Sequence, residues 1–394
     1  MKYLINLKLC TAVRRRKLRA HQLSAWLAAA AVFTSAAQLG LPQTPANSGE
    51  PVTGLNNPSA TVYNPTTGKV YTVDSEAGAV QISNDAAGST VHVKVGAGPV
   101  SIAADSSNGR AFVANSGDGT VSVIDGKTDT VLATVPIGSN PYSIAADSTA
   151  GKIYVTRTYS NQLSVIDAAT NQVSGIKAGS PDLIAVNPMT HSAYLLGYEG
   201  GDLTVLNRAT QALTKSSVGM HAWGIALNAE TGTVYIAKIG DAELAVLKTD
   251  SSSPTRIPTG KIPCSVAVNP RTNTVYVANY ADNTLTVIDG AKGRAVMQIP
   301  VGKRPQAVAV DAGRNLIYVA NTQANTVTAI DGATNRALAT LEAGTAPYAL
   351  VVNPASGKLH VANMDKTSFT ILDLSHLRSR SNEGQAELRP RYQK

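Results

Sequence analysis

Seven residues of this chain carry side chains suited to gripping a ligand: Arg157, Tyr159, Asp182, Tyr198, His221, Trp223 and Lys238. Cations set beside aromatic rings bind an anionic or sugar-like ligand by charge pairing and stacking. Single-stranded nucleic acid is held by the same chemistry. Tyr142, Tyr280, Arg304 and Tyr348 extend the set. Catalysis finds less material. His221 partnered by Asp182 would make a general base. No nucleophile motif, phosphate loop or Cys-x-x-Cys pair is present. Hydrolysis on a metal needs clustered ligands. Beyond position 37, His92, His191, His360 and His376 fall on strand, turn and tail positions, which leaves His221 alone near the others. No cofactor or metal is expected.

Whether the seven residues meet depends on the elements that carry them, and these repeat. Short apolar runs begin near Thr61, Ile102, Ile144, Ile184, Ile225, Val266, Val308 and Leu350. Each starts a unit of about forty residues, a period that marks stacked supersecondary units. In the sixth unit Cys264–Val268 is a small, alternating run, and an Asn-Pro turn follows at Asn269-Pro270. Thr274–Ala278 is β-branched and aromatic, Thr284–Ile288 is a third strand, and Arg294–Val301 a fourth. Four strands per unit without helical periodicity predict an all-β fold, an eight-bladed β-propeller. The last unit, Leu350 to Leu374, lacks its fourth strand. Glu50-Pro51-Val52-Thr53-Gly54 reads as the strand that would complete it and close the ring. Closure removes exposed sheet edges. Seven blades are the alternative, if a terminal unit packs irregularly.

The strings Val275-Tyr276-Val277-Ala278-Asn279 and Ile317-Tyr318-Val319-Ala320-Asn321 resemble the defining motif of YVTN-repeat β-propellers. Phe112-Val113-Ala114-Asn115 and Tyr154-Val155-Thr156 are weaker copies. The resemblance spans residues 51–374. It implies the propeller fold and an exported or surface protein. It does not imply one function: related architectures include lactonases and lyases, and propellers of similar sequence bind nucleic acid.

The repeat also separates scaffold from site. Residues that recur in most units are expected to be structural: the Asn-Pro turns, Tyr71, Tyr154, Tyr194, Tyr235, Tyr276 and Tyr318, and the turn acids Asp125, Asp167, Asp289, Asp331 and Asp373. A functional residue should break the pattern. Asn115, Asn279, Asn321 and Asn363 end the second strand of regular units. Units three to five have Arg157, Gly197 and Lys238 there, and Pro181-Asp182-Leu183 and His221-Ala222-Trp223 alter the loops between units. These departures define the candidate face.

The termini read differently from the repeat. Arg14, Arg15, Arg16, Lys17 and Arg19 precede an apolar, Ala-rich stretch from Leu23 to Leu41, in which Ser35-Ala36-Ala37 fits a small-residue cleavage site. Residues 1–37 therefore read as a signal peptide, with 38–50 a linker and 375–394 a flexible basic tail. Export by the general or the twin-arginine route, or an uncleaved anchor, fits this segment. The whole chain carries a net charge of +8, but residues 38–374 hold 22 basic and 24 acidic residues. That balance argues against a nucleic-acid partner unless a patch is concentrated on one face. Cys264 stands alone after position 37 and reads as a small buried residue.

The expected protein is a periplasmic or secreted monomer that binds a partner protein or an anionic or carbohydrate ligand through one channel-mouth face. The alternatives are a lactonase or lyase and a single-stranded nucleic-acid binder.

Overall fold

A computed structural model describes residues 51–53, 58–197, 201–248, 251, 253–364 and 368–379, all within the compact unit Leu41–Lys394. The segments read as signal peptide and linker, Tyr198, and residues 380–394 lie outside the described residues.

Every described element is a β-strand, and the strands form eight four-stranded antiparallel sheets. Seven sheets are built from strands consecutive in the chain. The eighth takes Pro347–Asn353, Lys358–Asn363 and Ser368–Asp373 and completes itself with Pro51–Thr53. That strand pairs antiparallel with the last one, Pro51 opposite Thr370 and Thr53 opposite Ser368. The eight-bladed ring closed by an N-terminal outer strand is thus the observed fold.

The first strands of successive blades neighbour one another around the ring, and Pro347–Asn353 returns to Pro58–Asn64. They line the axis and stay half-buried along their length, as in Pro263–Asn269 and Pro305–Asp311. The second and third strands form the core. Tyr71, Tyr235, Tyr276 and Tyr318 are almost wholly buried between blades, as are Val113, Val277 and Val319. Fourth strands such as Arg294–Pro300 face solvent.

Beyond the last blade the chain folds back on the propeller. Leu377 packs with a core cluster that includes Leu341, Leu359 and Leu374, and buried Ser379 hydrogen-bonds Asp331. The first residues of the stretch read as a tail are therefore docked.

Candidate functional site

Two loop sets meet at one end of the ring. The residue before the first strand of a blade offers its carbonyl to the backbone N–H just past the second strand: Asn140 to Thr158 at 3.0 Å, His221 to Ile239 at 3.1 Å, Arg304 to Thr322 at 3.0 Å. The residues that offer these carbonyls sit in left-handed backbone, with φ of 55°, 62° and 52°. The turn brings the chain sharply into the first strand.

A β-bulge follows at once. In blade 6, Pro263 pairs with Asn279 and Ser265 with Ala278, so Cys264 is skipped. The same skip omits Ser59, Val100, Trp223, Gln306 and Tyr348, and a wider irregularity spans Tyr142. A bulge re-aims the extra residue and marks sites where side chains are turned toward a purpose. Blade 4 lacks the bulge: Leu183 pairs with Leu196, and Asp182 donates its N–H to the Leu196 carbonyl at 2.9 Å. One equivalent position in the eight blades is therefore held by Ser59, Val100, Tyr142, Asp182, Trp223, Cys264, Gln306 and Tyr348, of which Val100 and Cys264 pack against core clusters.

Tyr142, Asp182 and Trp223 occupy this position in consecutive blades. Tyr142 is 39% exposed and Trp223 37%. Burial raises the Tyr142 phenol pKa, and the Asp182 carboxylate and Tyr159 raise it further. Thr156 of blade 3 donates to the Asp182 carbonyl at 2.9 Å, which ties that loop to its neighbour. Tyr159 crowns the blade 3 loop, 89% exposed, with φ of 63°. The His221 imidazole lies beside Gly240, where a Cβ would sit 3.2 Å from Nδ1.

The two cations of the patch are placed otherwise. Lys238 is 1% exposed, and its ammonium lies 2.5 Å from Asp241 and 2.7 Å from Glu243. Arg256 also pairs with Glu243. Arg157 donates from Nε to the Ser139 carbonyl at 3.2 Å, its guanidinium laid over Gly138. Both end a second strand, the position that Asn holds in regular blades. There Asn279 donates from Nδ2 to Thr284 and Thr286 at 3.0 and 2.8 Å, and Asn321 to Thr326 and Thr328 at 3.1 and 2.9 Å. Each such side chain fills a slot over a loop glycine: Gly96 under Asn115, Gly138 under Arg157, Gly219 under Lys238, Gly260 under Asn279. Arg157 and Lys238 are variants of a structural peg.

A smaller group flanks the mouth across the ring. The Arg304 guanidinium stands 5.4 Å from the centre of the Tyr280 ring, and burial drives the Tyr348 phenol pKa well up. Burial likewise pushes the Cys264 thiol up to about 12, and Sγ donates to the Pro305 carbonyl at 3.3 Å. Among the described residues, no three His, Cys, Asp or Glu side chains converge as a metal-ligand group.

Gln306 and Ser59 belong to the ring but escaped sequence reasoning. The signal was available. Within Pro-x-(Ser/Ala) the outer residues recur, while x reads Ser59, Val100, Tyr142, Cys264, Gln306 and Tyr348. A variable residue inside a constant frame is one the frame does not need.

No family model and no curated protein matches the chain. Solved structures do. The chain is similar to Saccharomyces cerevisiae Sqt1, with a TM-score of 0.68 at 12% identity over 84% of this chain and 99% of that one. It is also similar to Kuenenia stuttgartiensis hydrazine synthase, with a TM-score of 0.56 at 15% identity over 75% of this chain and 99% of the other. At such identities the likeness is one of fold, and the fold shared is the β-propeller.

Proposed function

We propose that this protein is an exported, non-catalytic binding module whose channel mouth takes a neutral, hydroxylated ligand of the carbohydrate class. The observation that carries this reading is the placement of Tyr142, Asp182 and Trp223 at one equivalent position in three consecutive blades. Aromatic rings stack on the apolar C–H faces of a sugar, and a carboxylate between them accepts hydrogen bonds from adjacent hydroxyls. The choice of a neutral over an anionic ligand rests on charge. Lys238 is buried against two carboxylates and Arg157 is engaged by a loop carbonyl. Neither supplies the open cation that an anion would seek. Export rests on the basic and apolar run before position 37.

Trp223 reports on the site directly, since Trp26 is the only other tryptophan. A Trp26→Phe protein, titrated with neutral and uronate-bearing oligosaccharides, should show saturable change in Trp223 emission with the neutral ones. Tyr142→Ala should weaken that binding at least tenfold, the equivalent of about 1.4 kcal/mol, and leave the melting temperature nearly unchanged. Saturation only by the acidic oligosaccharides would overturn the neutral-ligand reading. Unchanged affinity in Tyr142→Ala would remove the site.

A further inference from the structure

The loops that join second to third strands follow one backbone plan. The residue just before the third strand is left-handed: Gly78, Gly119, Gly201, Ala242, Asn283 and Asn325, with φ between 52° and 71°. Blade 3 departs from the plan. Its counterpart is Asn161, just before the strand Gln162–Asp167, and asparagine enters left-handed backbone more readily than most residues. Yet the left-handed residue of this loop is Tyr159, two positions earlier, with φ of 63°. For a bulky side chain that conformation is an outlier, disfavoured because Cβ crowds the following carbonyl. Ser160 donates its N–H to the Arg157 carbonyl at 3.0 Å, so the turn closes around Thr158 and Tyr159.

Packing does not offset the strain, since Tyr159 is 89% exposed. What the turn achieves is placement. Thr158 donates its N–H to the Asn140 carbonyl at 3.0 Å. Tyr159 thus stands one residue from a bond whose other end lies two residues from Tyr142. The Thr156 hydroxyl, three residues back, accepts from the Ser143 N–H at 3.0 Å and donates to the Asp182 carbonyl at 2.9 Å. Tyr159 is also near enough to Tyr142 to help raise its phenol pKa. A disfavoured backbone beside a candidate site points to a demand made by a ligand rather than by the fold.

We propose that Tyr159 is an outer stacking platform, so that the site takes a chain of two or more sugar units rather than a single one. The inference rests on the carbohydrate reading of Tyr142, Asp182 and Trp223. One aromatic ring stacks on one sugar ring, and Tyr142 and Tyr159 offer two rings on segments tied by a hydrogen bond. Fixing the Tyr159 backbone in advance lessens the ordering that binding would otherwise require. The loop keeps a conformation that Asn161 would have spared it, a stability cost of the kind that functional positions carry.

Ligand length tests the idea. The Trp26→Phe protein is titrated, by Trp223 emission, with α- and β-1,4-linked glucose oligomers from the monosaccharide to the hexasaccharide. Affinity should rise with length by about tenfold. Tyr159→Gly, which suits the left-handed backbone, should abolish most of that rise while increasing the melting temperature. Tyr159→Phe should keep the rise. A rise retained in Tyr159→Gly, with binding still lost in Tyr142→Ala, would overturn the platform and leave the carbohydrate site standing. So would an affinity independent of length in the parent. A melting temperature lowered by Tyr159→Gly would make the ring a structural part of its loop and overturn the proposal. No saturable response of the parent to any oligomer would overturn the carbohydrate reading and the platform together.

Discussion

Lys238 Nζ lies 2.7 Å from Glu243 Oε1, five residues on and across the hairpin, where Asn279 Nδ2 meets Thr284 Oγ1 at 3.0 Å in the next blade. One hairpin contact is thus written in two chemistries. Breaking a buried pair by removing one partner leaves the other charge uncompensated. Lys238→Ala should therefore cost about 2 kcal/mol, below the usual penalty for a broken buried pair because Arg256 still pairs with Glu243 and Asp241 is exposed. Installing the regular set, Lys238→Asn with Glu243→Thr and Ala245→Thr, should bring stability back near the parent's in urea titration. Ligand binding at the mouth should be indifferent to both changes. Lost binding with unchanged stability would mean Lys238 faces the ligand.

The peg and its slot give a second test. A Cβ on Gly260 would lie 2.7 Å from Asn279 Cγ, so Gly260→Ala should destabilise by clash, by about 1–3 kcal/mol. Asn279→Ala removes hydrogen bonds to Thr284 and Thr286 and opens a void, for a loss of about 2 kcal/mol. The two together should cost less than their sum, because the new methyl enters the emptied space. A double-mutant cycle by chemical denaturation measures that coupling. Simple additivity would mean slot and peg are independent.

The fold was legible because repetition multiplies a weak signal. Tyr276 or Asn269 alone says little, but each recurs with its neighbours at a fixed period. The closing strand was legible from what blade 8 lacks after Leu374. The site was legible only in outline. Asp182 and Trp223 stood out against a constant frame, and the structure sets them with Tyr142 at one equivalent position in consecutive blades. Lys238 also stood out, yet its difference is matched by Glu243 five residues on. A departure compensated inside the same blade is structural. Asp85 and His360 were invisible as a pair because 275 residues separate them, and only ring closure brings them together.

Acid should act on the closing joint. Burial alone would raise the Asp85 pKa, but hydrogen bonding and charge from His360, with help from Ser356 and Asn353, hold it down at about 2. A carboxyl lowered on folding contributes stability that is fully present above its unfolded value, near 4, and is lost as pH falls through the folded value. Asp85 should thus contribute about 2 kcal/mol at neutral pH, lost between about pH 4 and pH 2. Unfolding free energies measured across that window should fall less steeply in Asp85→Asn than in the parent. Parallel curves would mean that the carboxylate is not held low.

Cys264 should be inert despite its place in the mouth ring. Its thiol, raised to about 12 by burial, is almost wholly protonated at pH 8. Ellman's reagent should label the folded chain at Cys264 far more slowly than the urea-unfolded one. Rapid labelling of the folded protein would show an open path to a thiolate. Peptide mapping assigns the label to Cys264.

Asp182 separates a binding role from a scaffold role most directly. Its backbone makes two contacts: the N–H reaches Leu196 and the carbonyl receives Thr156. Asp182→Asn keeps both. The substitution removes the negative charge that, after burial, contributes most to the raised Tyr142 phenol pKa. Tyr142 should then ionise at lower pH, visible by NMR of tyrosine-labelled protein against the parent. Affinity for a neutral oligosaccharide should fall with it, because an amide accepts hydroxyl hydrogen bonds more weakly than a carboxylate. A shifted Tyr142 with unchanged affinity would place the charge at the mouth but outside the ligand's reach. An unshifted Tyr142 would mean that the two side chains do not share the concavity at all.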